Sequence, residues 1–203
     1  MARAPQLEVH GPGLVLRLPT ARDAPALLRL ASDPEVTRWF SWGPYTTIEE
    51  PRAYLARQAR RRQAGVQLDL VVEHREAGPV GVIGLSELSV RDRRAMVGTW
   101  LGRDWWGTGV NAEAKALVFH LAFGRCGLLR VGAYSDVANA RSRTALSNVG
   151  LVHEGILRGW HRHGDVQKDV NVHGLLREDW LRSREHEVPV RIVGSVPDAF
   201  VVG

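Results

Sequence analysis

The feature that most constrains this chain is a glycine-containing loop between a strand and a helix, within Thr99–Phe123. A strand pattern ends at Leu101, Gly107 and Gly109 follow in a short loop, and an amphipathic helix starts at once. The first amides of a helix have no partner within the helix, and the helix dipole adds positive charge there. Glycines let the backbone approach a bound anion closely. The segment therefore predicts a pyrophosphate-binding site.

The patterns on either side of this loop predict one mixed α/β domain over residues 1–184. Before the loop, strand patterns at 68–73, 80–88 and 95–101 are joined by tight turns, which indicates an antiparallel meander. After it, helix and strand patterns alternate. The remaining expected elements are a strand at 15–18, helices at 21–32, 47–63, 109–123, 140–148 and 178–184, and strands at 128–134, 151–157 and 168–176.

Composition limits the surroundings of the protein more than its function. No run of about 18 apolar residues occurs, so no membrane partner is expected. The N-terminus lacks the apolar run of a signal peptide, and the single Cys126 cannot form an internal disulfide, so a cytoplasmic location is expected. No His, Cys, Asp or Glu cluster has metal-ligand spacing, which predicts no metal.

The net charge of +5 has two explanations. A positive balance would suit a nucleic-acid binder, but a phosphorylated ligand at the glycine loop explains it equally well. All but two of the Lys and Arg residues are Arg, a bias that can come from genomic base composition, so the charge alone does not decide between the two explanations. No DNA partner is expected.

A dinucleotide-binding loop is the competing interpretation of the glycines. Gly107–Ala112 satisfies the pattern G-x-G-x-x-G/A, and Asp136 follows the next strand, where a ribose-binding acid belongs. The loop, however, follows an antiparallel meander halfway along the chain. Too few residues remain for a second nucleotide-binding half, which disfavours this interpretation.

Six segments, taken in order, resemble the RimJ/RimL-type branch of the GNAT acetyltransferases. They are L-x-L-P-T-x-x-D-A-x-x-L (16–27), D-P-E-V-T-R (33–38), W-G-T-G-V-N-A-E-A (106–114), N-A-R-S (139–142), G-L-V-H-E-G-I-L-R (150–158) and D-V-N-V-H-G-L-L-R-E-D-W (169–180). The resemblance implies the GNAT fold, a central splayed and mostly antiparallel sheet of about six or seven strands flanked by helices. It also implies that acyl-CoA enters where two parallel strands diverge.

The resemblance implies acetyl-CoA, or another acyl-CoA, as co-substrate. The family pattern Q/R-x-x-G-x-G/A keeps Gly109, but Trp106 replaces Gln or Arg and Asn111 replaces Gly or Ala. Asn139 is expected to contact the CoA arm, or only to cap the next helix. The expected phosphate-binding residues are Trp106, Gly107, Thr108, Gly109, Val110 and Asn111. The backbone groups expected to hold the pantetheine arm and polarise the thioester are those of Trp100, Leu101 and Gly102.

Two residues are candidates for proton transfer. Ser142 matches the last position of the family's N-x-x-S pattern, which would place it near the sulfur as proton donor; the alternative is an exposed first-turn serine. His161, in a predicted loop, is a candidate base because its ordinary pKa lies near neutrality; an exposed loop histidine is the alternative. The expected acceptor-site residues, each with a structural alternative, are Trp39, Trp42, Glu154 and Trp160.

These observations lead to one main hypothesis, an N-acetyltransferase that acts on a protein N-terminus or a small amine. A GNAT-fold binding module for RNA or protein is one alternative, and an enzyme that uses succinyl-CoA is another. The segment 185–203 extends past the resemblance and alternates Val188, Val190 and Ile192, which fits a strand. We expect this tail to add to a sheet edge or to pack across the interface of a homodimer, the alternative being a frayed end.

Overall fold

The computed structural model describes residues 6–202, whose centre is one nine-stranded sheet. Its strands are β1 (Glu8–His10), β2 (Leu14–Arg17), β3 (Gln67–His74), β4 (Gly78–Ser89), β5 (Arg94–Leu101), β6 (Arg130–Asp136), β7 (Val152–His163), β8 (Val166–Leu176) and β9 (Arg191–Val193). The order across the sheet is β7-β8-β6-β5-β4-β3-β2-β1-β9, in which β5 and β6 are the one parallel pair. The mostly antiparallel sheet is confirmed, with nine strands in place of six or seven.

Helices cover both faces of this sheet. They are α1 (Ala24–Ala31), α2 (Pro34–Thr37), α3 (Glu49–Gln63), α4 (Val110–Phe119), α5 (Ala140–Ser147) and α6 (Arg177–Trp180). On one face, Leu27 of α1 and Leu55 of α3 form an apolar cluster with Val82 of β4. On the other, Leu117 of α4 packs in the main core with Ile83, whose side chain points the opposite way from that of Val82.

Two of the nine strands, β1 and β9, were not expected as separate elements at these positions. Each has only three residues, too few for a period of two to show in the sequence. The turn between β1 and β2 is held by a residue distant in sequence, because the Glu113 carboxylate on α4 accepts hydrogen bonds from the Gly13 and Leu14 amides at 2.8 and 2.9 Å. A Cβ at Gly11 would lie 2.6 Å from the same carboxylate, which explains the glycine.

The C-terminal half differs from the sequence expectation at one hairpin. The loop expected after residue 157 is instead the continuation of β7 into β8, with His161 paired to Lys168 and His163 to Val166. Register shifts occur between His153 and Gly155 and between Leu157 and His161. These irregularities interrupt the alternation by which a strand is recognised from sequence.

The tail packs on the same chain. β9 pairs antiparallel with β1, with Ile192 opposite Val9, so it adds a strand to the sheet edge. The strand covers Arg191–Val193, so of the alternating residues Val188, Val190 and Ile192 it contains Ile192 alone. Phe200 is fully buried in the main core, and the Val202 amide donates to the Cys126 carbonyl at 2.9 Å. These contacts exclude a frayed end for the described part of the tail.

Candidate functional site

A cleft opens where the two parallel strands separate. β5 and β6 are paired only from Arg94 to Met96 and from Arg130 to Gly132, after which each strand continues without the other. The cleft between them has a volume of about 400 Å³ and is lined by the second half of β5, the end of β6 and the first turns of α4 and α5. This is the divergence at which the resemblance placed acyl-CoA.

The backbone of β5 presents one open edge to this cleft. The Gly102 amide donates to the Val80 carbonyl at 2.9 Å, on the β4 side of the strand. Because such bonds alternate along an antiparallel pair, the amides of Thr99 and Leu101 point to the opposite side, towards the opening. The backbone amides of Trp100 and Gly102 are therefore used in bonds to β4, against the expectation for these two residues, whereas a contact between the Leu101 amide and the pantetheine arm stays a prediction.

The glycine loop has the geometry of an anion site. Gly107 and Gly109 have φ values of 75° and 91°, a region that glycine adopts without strain. The amides of Ala112 and Glu113 both donate to the Gly109 carbonyl. Within residues 6–202 the preceding amides, from Gly107 to Asn111, have no acceptor. Unpaired amides at the positive end of α4 favour a phosphate.

The side chains of this loop serve different purposes. Those of Trp106 and Asn111 line the cleft together with Gly107. The Thr108 hydroxyl instead donates to the Trp105 carbonyl at 2.9 Å, and the Val110 side chain is buried in the core. Thr108 and Val110 can therefore contact a ligand through their backbones but not through their side chains.

Trp106, the departure from the family pattern, carries a cation at its face. Its Nε1 donates to the Leu101 carbonyl at 3.0 Å, which fixes the ring. The guanidinium carbon of Arg141 lies 3.2 Å from the ring centroid, and Arg141 also lines the cleft. A cation–π contact of this kind holds a positive charge beside the loop. Arg141 thus places a positive charge beside Trp106, the position at which the family pattern has Gln or Arg.

Lys115 is a cleft residue that the sequence analysis missed. It is 3% exposed, and its Nζ donates to the Thr99 hydroxyl at 2.7 Å. Within the described chain no carboxylate oxygen lies within 4.0 Å of this nitrogen. Burial lowers the pKa of Lys115 to about 8. The sequence did contain a sign of this residue, because Lys115 is the one lysine in a helix whose neighbouring residues, Ala114 and Ala116–Val118, are apolar.

Asn139 and Ser142 meet at the start of α5. The Asn139 Oδ1 accepts the Ser142 amide at 3.0 Å, which is the capping contact expected as the alternative role of Asn139. Both residues also line the cleft. The start of α5 therefore lies at the cleft, and the capping bond uses the Ser142 amide and leaves its hydroxyl free of that bond.

His161 also reaches the cleft, from β7 and not from a loop. Its ring packs edge-on against Tyr134, with the centroids 5.3 Å apart. Burial and the neighbouring His163 lower the pKa of His161 below its ordinary value. A mostly neutral imidazole at pH 7 suits a proton acceptor.

The four expected acceptor-site residues fall into two groups. Trp39 and Trp42 line the cleft, and Trp42 packs edge-on against Trp100 at 5.6 Å. Trp160 is 52% exposed and lies outside the lining of the cleft. Glu154 also lies outside it, in an ion pair with Arg130 that lowers the pKa of Glu154. The ion pair agrees with the structural alternative for Glu154, whereas Trp160 neither packs in the core nor lines the cleft.

Residues 6–202 contain no group of three or more His, Cys, Asp or Glu side chains that could hold a metal ion. The helices in this part of the chain are all too short or too polar to span a bilayer.

Comparison with known proteins agrees with this geometry. The sequence profile described as "Acetyltransferase (GNAT) domain" matches residues 13–152. The protein named "Uncharacterized N-acetyltransferase YoaA" of Bacillus subtilis (strain 168) is 28% identical over 165 residues, which are 81% of this chain and 93% of YoaA.

Two solved structures share the fold. Mycobacterium smegmatis RimJ in complex with CoA-disulfide has a TM-score of 0.76 at 21% identity and 90% coverage of each chain. The microcin C7 self-immunity acetyltransferase MccE, in complex with acetyl-CoA and AMP, has a TM-score of 0.73 at 20% identity, covering 81% of this chain and 92% of MccE. With its profile match, its divergent parallel strands and its glycine loop, the chain belongs to the GNAT family and is an acetyltransferase.

Proposed function

We propose that this enzyme transfers an acetyl-type group from acetyl-CoA to a primary amine, at a protein N-terminus or on a small molecule, by direct attack on the thioester. The observation that carries the proposal is the continuity of the cleft. It runs from the unpaired amides of the glycine loop, along the open edge of β5, to Ser142 and His161. This continuity supports the proposal, because phosphate binding, thioester polarisation and proton transfer would all take place in one space.

Direct attack is favoured because the single cysteine cannot act as an acyl carrier. Cys126 is buried in the main core, and burial raises the pKa of its thiol to about 12. A protonated thiol is a poor nucleophile. The amine nitrogen would therefore form its bond to the acyl carbon as the carbon–sulfur bond breaks. In this proposal Ser142, which lines the cleft, protonates the departing thiolate.

The glycine loop gives the sharpest test of acetyl-CoA binding. In Gly109→Asp a carboxylate would occupy the space in front of the amides, where a Cβ meets nothing within 4 Å. Calorimetry should show that acetyl-CoA no longer binds. Gly78→Asp is the matched control, because Gly78 also has a positive φ, of 75°, and open space around it, but is the first residue of β4 and lines neither the glycine loop nor the cleft. Undiminished binding in Gly109→Asp, or equal loss in both variants, would reject the assignment.

A second candidate, transfer of a succinyl group, is favoured by one observation. Among residues 6–202, the Thr99 hydroxyl is the only hydrogen-bond partner of the buried Lys115 ammonium in the cleft, and a carboxylate on the acyl group would pair with it. Comparing kcat/KM for acetyl-CoA and succinyl-CoA tests this candidate. Lys115→Met should reduce succinyl transfer more than acetyl transfer, and equal effects on both would rule the succinyl enzyme out.

A further inference from the structure

A second cavity lies on the face of the sheet opposite α4. It has a volume of about 520 Å³ and is enclosed by α3, the segment that precedes α3, and strands β3 to β5. It meets the first cleft at the edge of β5, because both cavities are lined by the same five residues, Phe40, Trp42, Gly98, Thr99 and Trp100. A molecule in the second cavity would therefore reach the open edge of β5 from the other side.

The floor of this cavity is a row of three residues on neighbouring strands. Asp69 of β3 is paired with Gly84 of β4, which is paired with Gly98 of β5, so all three lie side by side on one face. A Cβ at Gly84 would lie 2.2 Å from Asp69 Oδ1, which means that the carboxylate extends over Gly84. A Cβ at Gly98 would meet nothing within 4 Å. Since strands are about 4.8 Å apart, the empty space over Gly98 is about one strand spacing from the carboxylate.

Asp69 is a buried acid without a cationic partner in the described chain. It is 6% exposed, and it accepts hydrogen bonds from the Tyr54 hydroxyl at 2.6 Å and from Gln67 Nε2 at 2.7 Å. Within residues 6–202 no Lys, Arg or His nitrogen lies within 4.0 Å of it. A buried carboxylate of this kind is stabilised by a cation that binds to it.

The walls of the cavity also suit a cation. The Trp42 and Trp100 rings pack edge-on with their centroids 5.6 Å apart, and the centroids of the Tyr45 and Trp42 rings are 5.3 Å apart. Aromatic faces attract an ammonium group, more strongly when it is desolvated. At the rim, Arg57 and Arg61 of α3 line the opening and form no ion pair among residues 6–202. Their charges repel a ligand that carries a second positive group.

Resting on the proposed function, we propose that the second cavity binds the acceptor, a small primary amine with a single positive charge, and that Asp69 holds its ammonium group over Gly98. The volume is that of a small-molecule site and not of an extended protein surface. The two cavities would then bring the amine and the acyl group together at the edge of β5.

The proton inventory of the reaction balances with Asp69 as base. The carboxylate takes one proton from the ammonium group, which leaves a neutral amine whose lone pair attacks the acyl carbon. The carbon–nitrogen bond forms and the carbon–sulfur bond breaks. The nitrogen loses its second proton as the thiolate gains one, and Asp69 returns its proton to solvent. The products are the amide, free CoA and one proton.

The pKa of Asp69 depends on its burial and on neighbouring groups of α3 and β3. Burial raises its pKa, whereas the Tyr54 and Gln67 hydrogen bonds and the charge of Arg61 lower it. The titratable or charged groups that line the cavity with it are Tyr45, Glu50, Tyr54, Arg57 and Arg61. Removing the Tyr54 hydroxyl raises the Asp69 pKa further, so the acidic limb of the kcat/KM profile for the amine should move to higher pH in Tyr54→Phe.

Two substitutions test the proposal. Asp69→Asn should lower kcat/KM for the amine by roughly 100-fold or more, within the range of proton-transfer catalysis, without changing calorimetric binding of acetyl-CoA. Gly98→Ala places a methyl group in the empty space, so it should raise the amine KM while the protein stays folded. Gly124→Ala is the matched control, because its Cβ also meets nothing within 4 Å and Gly124 lines neither cavity.

The choice of acceptor completes the test. Pentylamine should be acetylated with a higher kcat/KM than 1,5-diaminopentane or a peptide with a free N-terminus. If the wild type transfers acetyl groups but Asp69→Asn and Gly98→Ala match it in kcat/KM and pH profile, or the peptide is preferred, the acceptor assignment is wrong and the proposed function stands. If the wild type neither binds acetyl-CoA nor transfers its acyl group to any amine, the proposed function itself fails.

Discussion

The backbone and the side chain of Ser142 have different surroundings. Its amide is held by the Asn139 side chain, while its own side chain lines the cleft. Replacing Ser142 by Ala keeps the amide, so the cap of α5 remains and the fold should not change. This separation makes the hydroxyl testable by itself.

Ser142→Ala should lower kcat by about tenfold or more with little change in KM for acetyl-CoA, because only protonation of the thiolate is lost. Steady-state kinetics with saturating amine measures both constants. Ser147→Ala, at the exposed C-terminal end of the same helix, is the control. Equal kcat values in the wild type and Ser142→Ala would leave Ser142 with a structural role only.

Lys115 imposes a cost on stability that depends on pH. Its pKa falls from about 10.4 in an unfolded chain to about 8 in the native state. Between these values the unfolded chain binds more protons, so the free energy of unfolding rises with pH across that window. Below pH 8, Lys115 is protonated in both the native and the unfolded state, and burial of its charge lowers the free energy of unfolding by the full amount.

Lys115→Met should therefore stabilise the protein at pH 7, by up to about 3 kcal/mol if the pKa difference were fully recovered. The gain should shrink as pH rises from 8 to above 10, because the wild type loses its buried charge. Urea unfolding of both proteins across this pH range measures the gap. A gap that stays constant or widens with pH would contradict a buried charged lysine.

At the scale of elements, the starts of α4 and α5 face each other across the cleft. The glycine loop before α4 offers unpaired amides, and Arg141 in the first turn of α5 stacks on Trp106 in that loop. The two helices thus contribute dipole and charge to the same anion site. Under the proposed function, this pairing would let a loop without the family's Gln or Arg bind a phosphorylated ligand.

Arg141→Gln should weaken acetyl-CoA binding by about three- to tenfold, the effect of one partly exposed charge, and more at low salt than at high salt. Acetyl-pantetheine, which has no phosphate, should bind both proteins equally. Arg143→Gln, two residues on and outside the lining of the cleft, provides the control. A loss that is equal for the two ligands would mean that Arg141 does not act on the phosphates.

The elements differ in how far the sequence predicts them. The meander and the strand–glycine loop–helix unit follow from local periodicity and turn residues, so their order and bounds were predicted to within a few residues. The cleft residues Lys115 and Asp69 depend on which residues of distant strands and helices face each other. That information resides in register and packing, and a buried charge in an apolar pattern is its only trace in the sequence.

At the scale of the whole molecule, the tail closes the core of its own chain. β9 extends the sheet beyond β1, and Phe200 is 0% exposed among core side chains that include Cys126. Homodimer formation remains a prediction, which light scattering of the full chain tests. The tail contacts described here lie within one chain and need no second subunit.

Phe200→Ala should therefore lower the free energy of unfolding by about 3–5 kcal/mol, the usual cost of truncating a buried aromatic side chain. Since the contacts are intramolecular, the loss should be the same at low and high protein concentration. Val201→Ala, an exposed neighbour, should change stability far less. Thermal unfolding over a hundredfold range of concentration separates the cases. A loss that appears only in a concentration-dependent transition would show instead that the tail holds two subunits together.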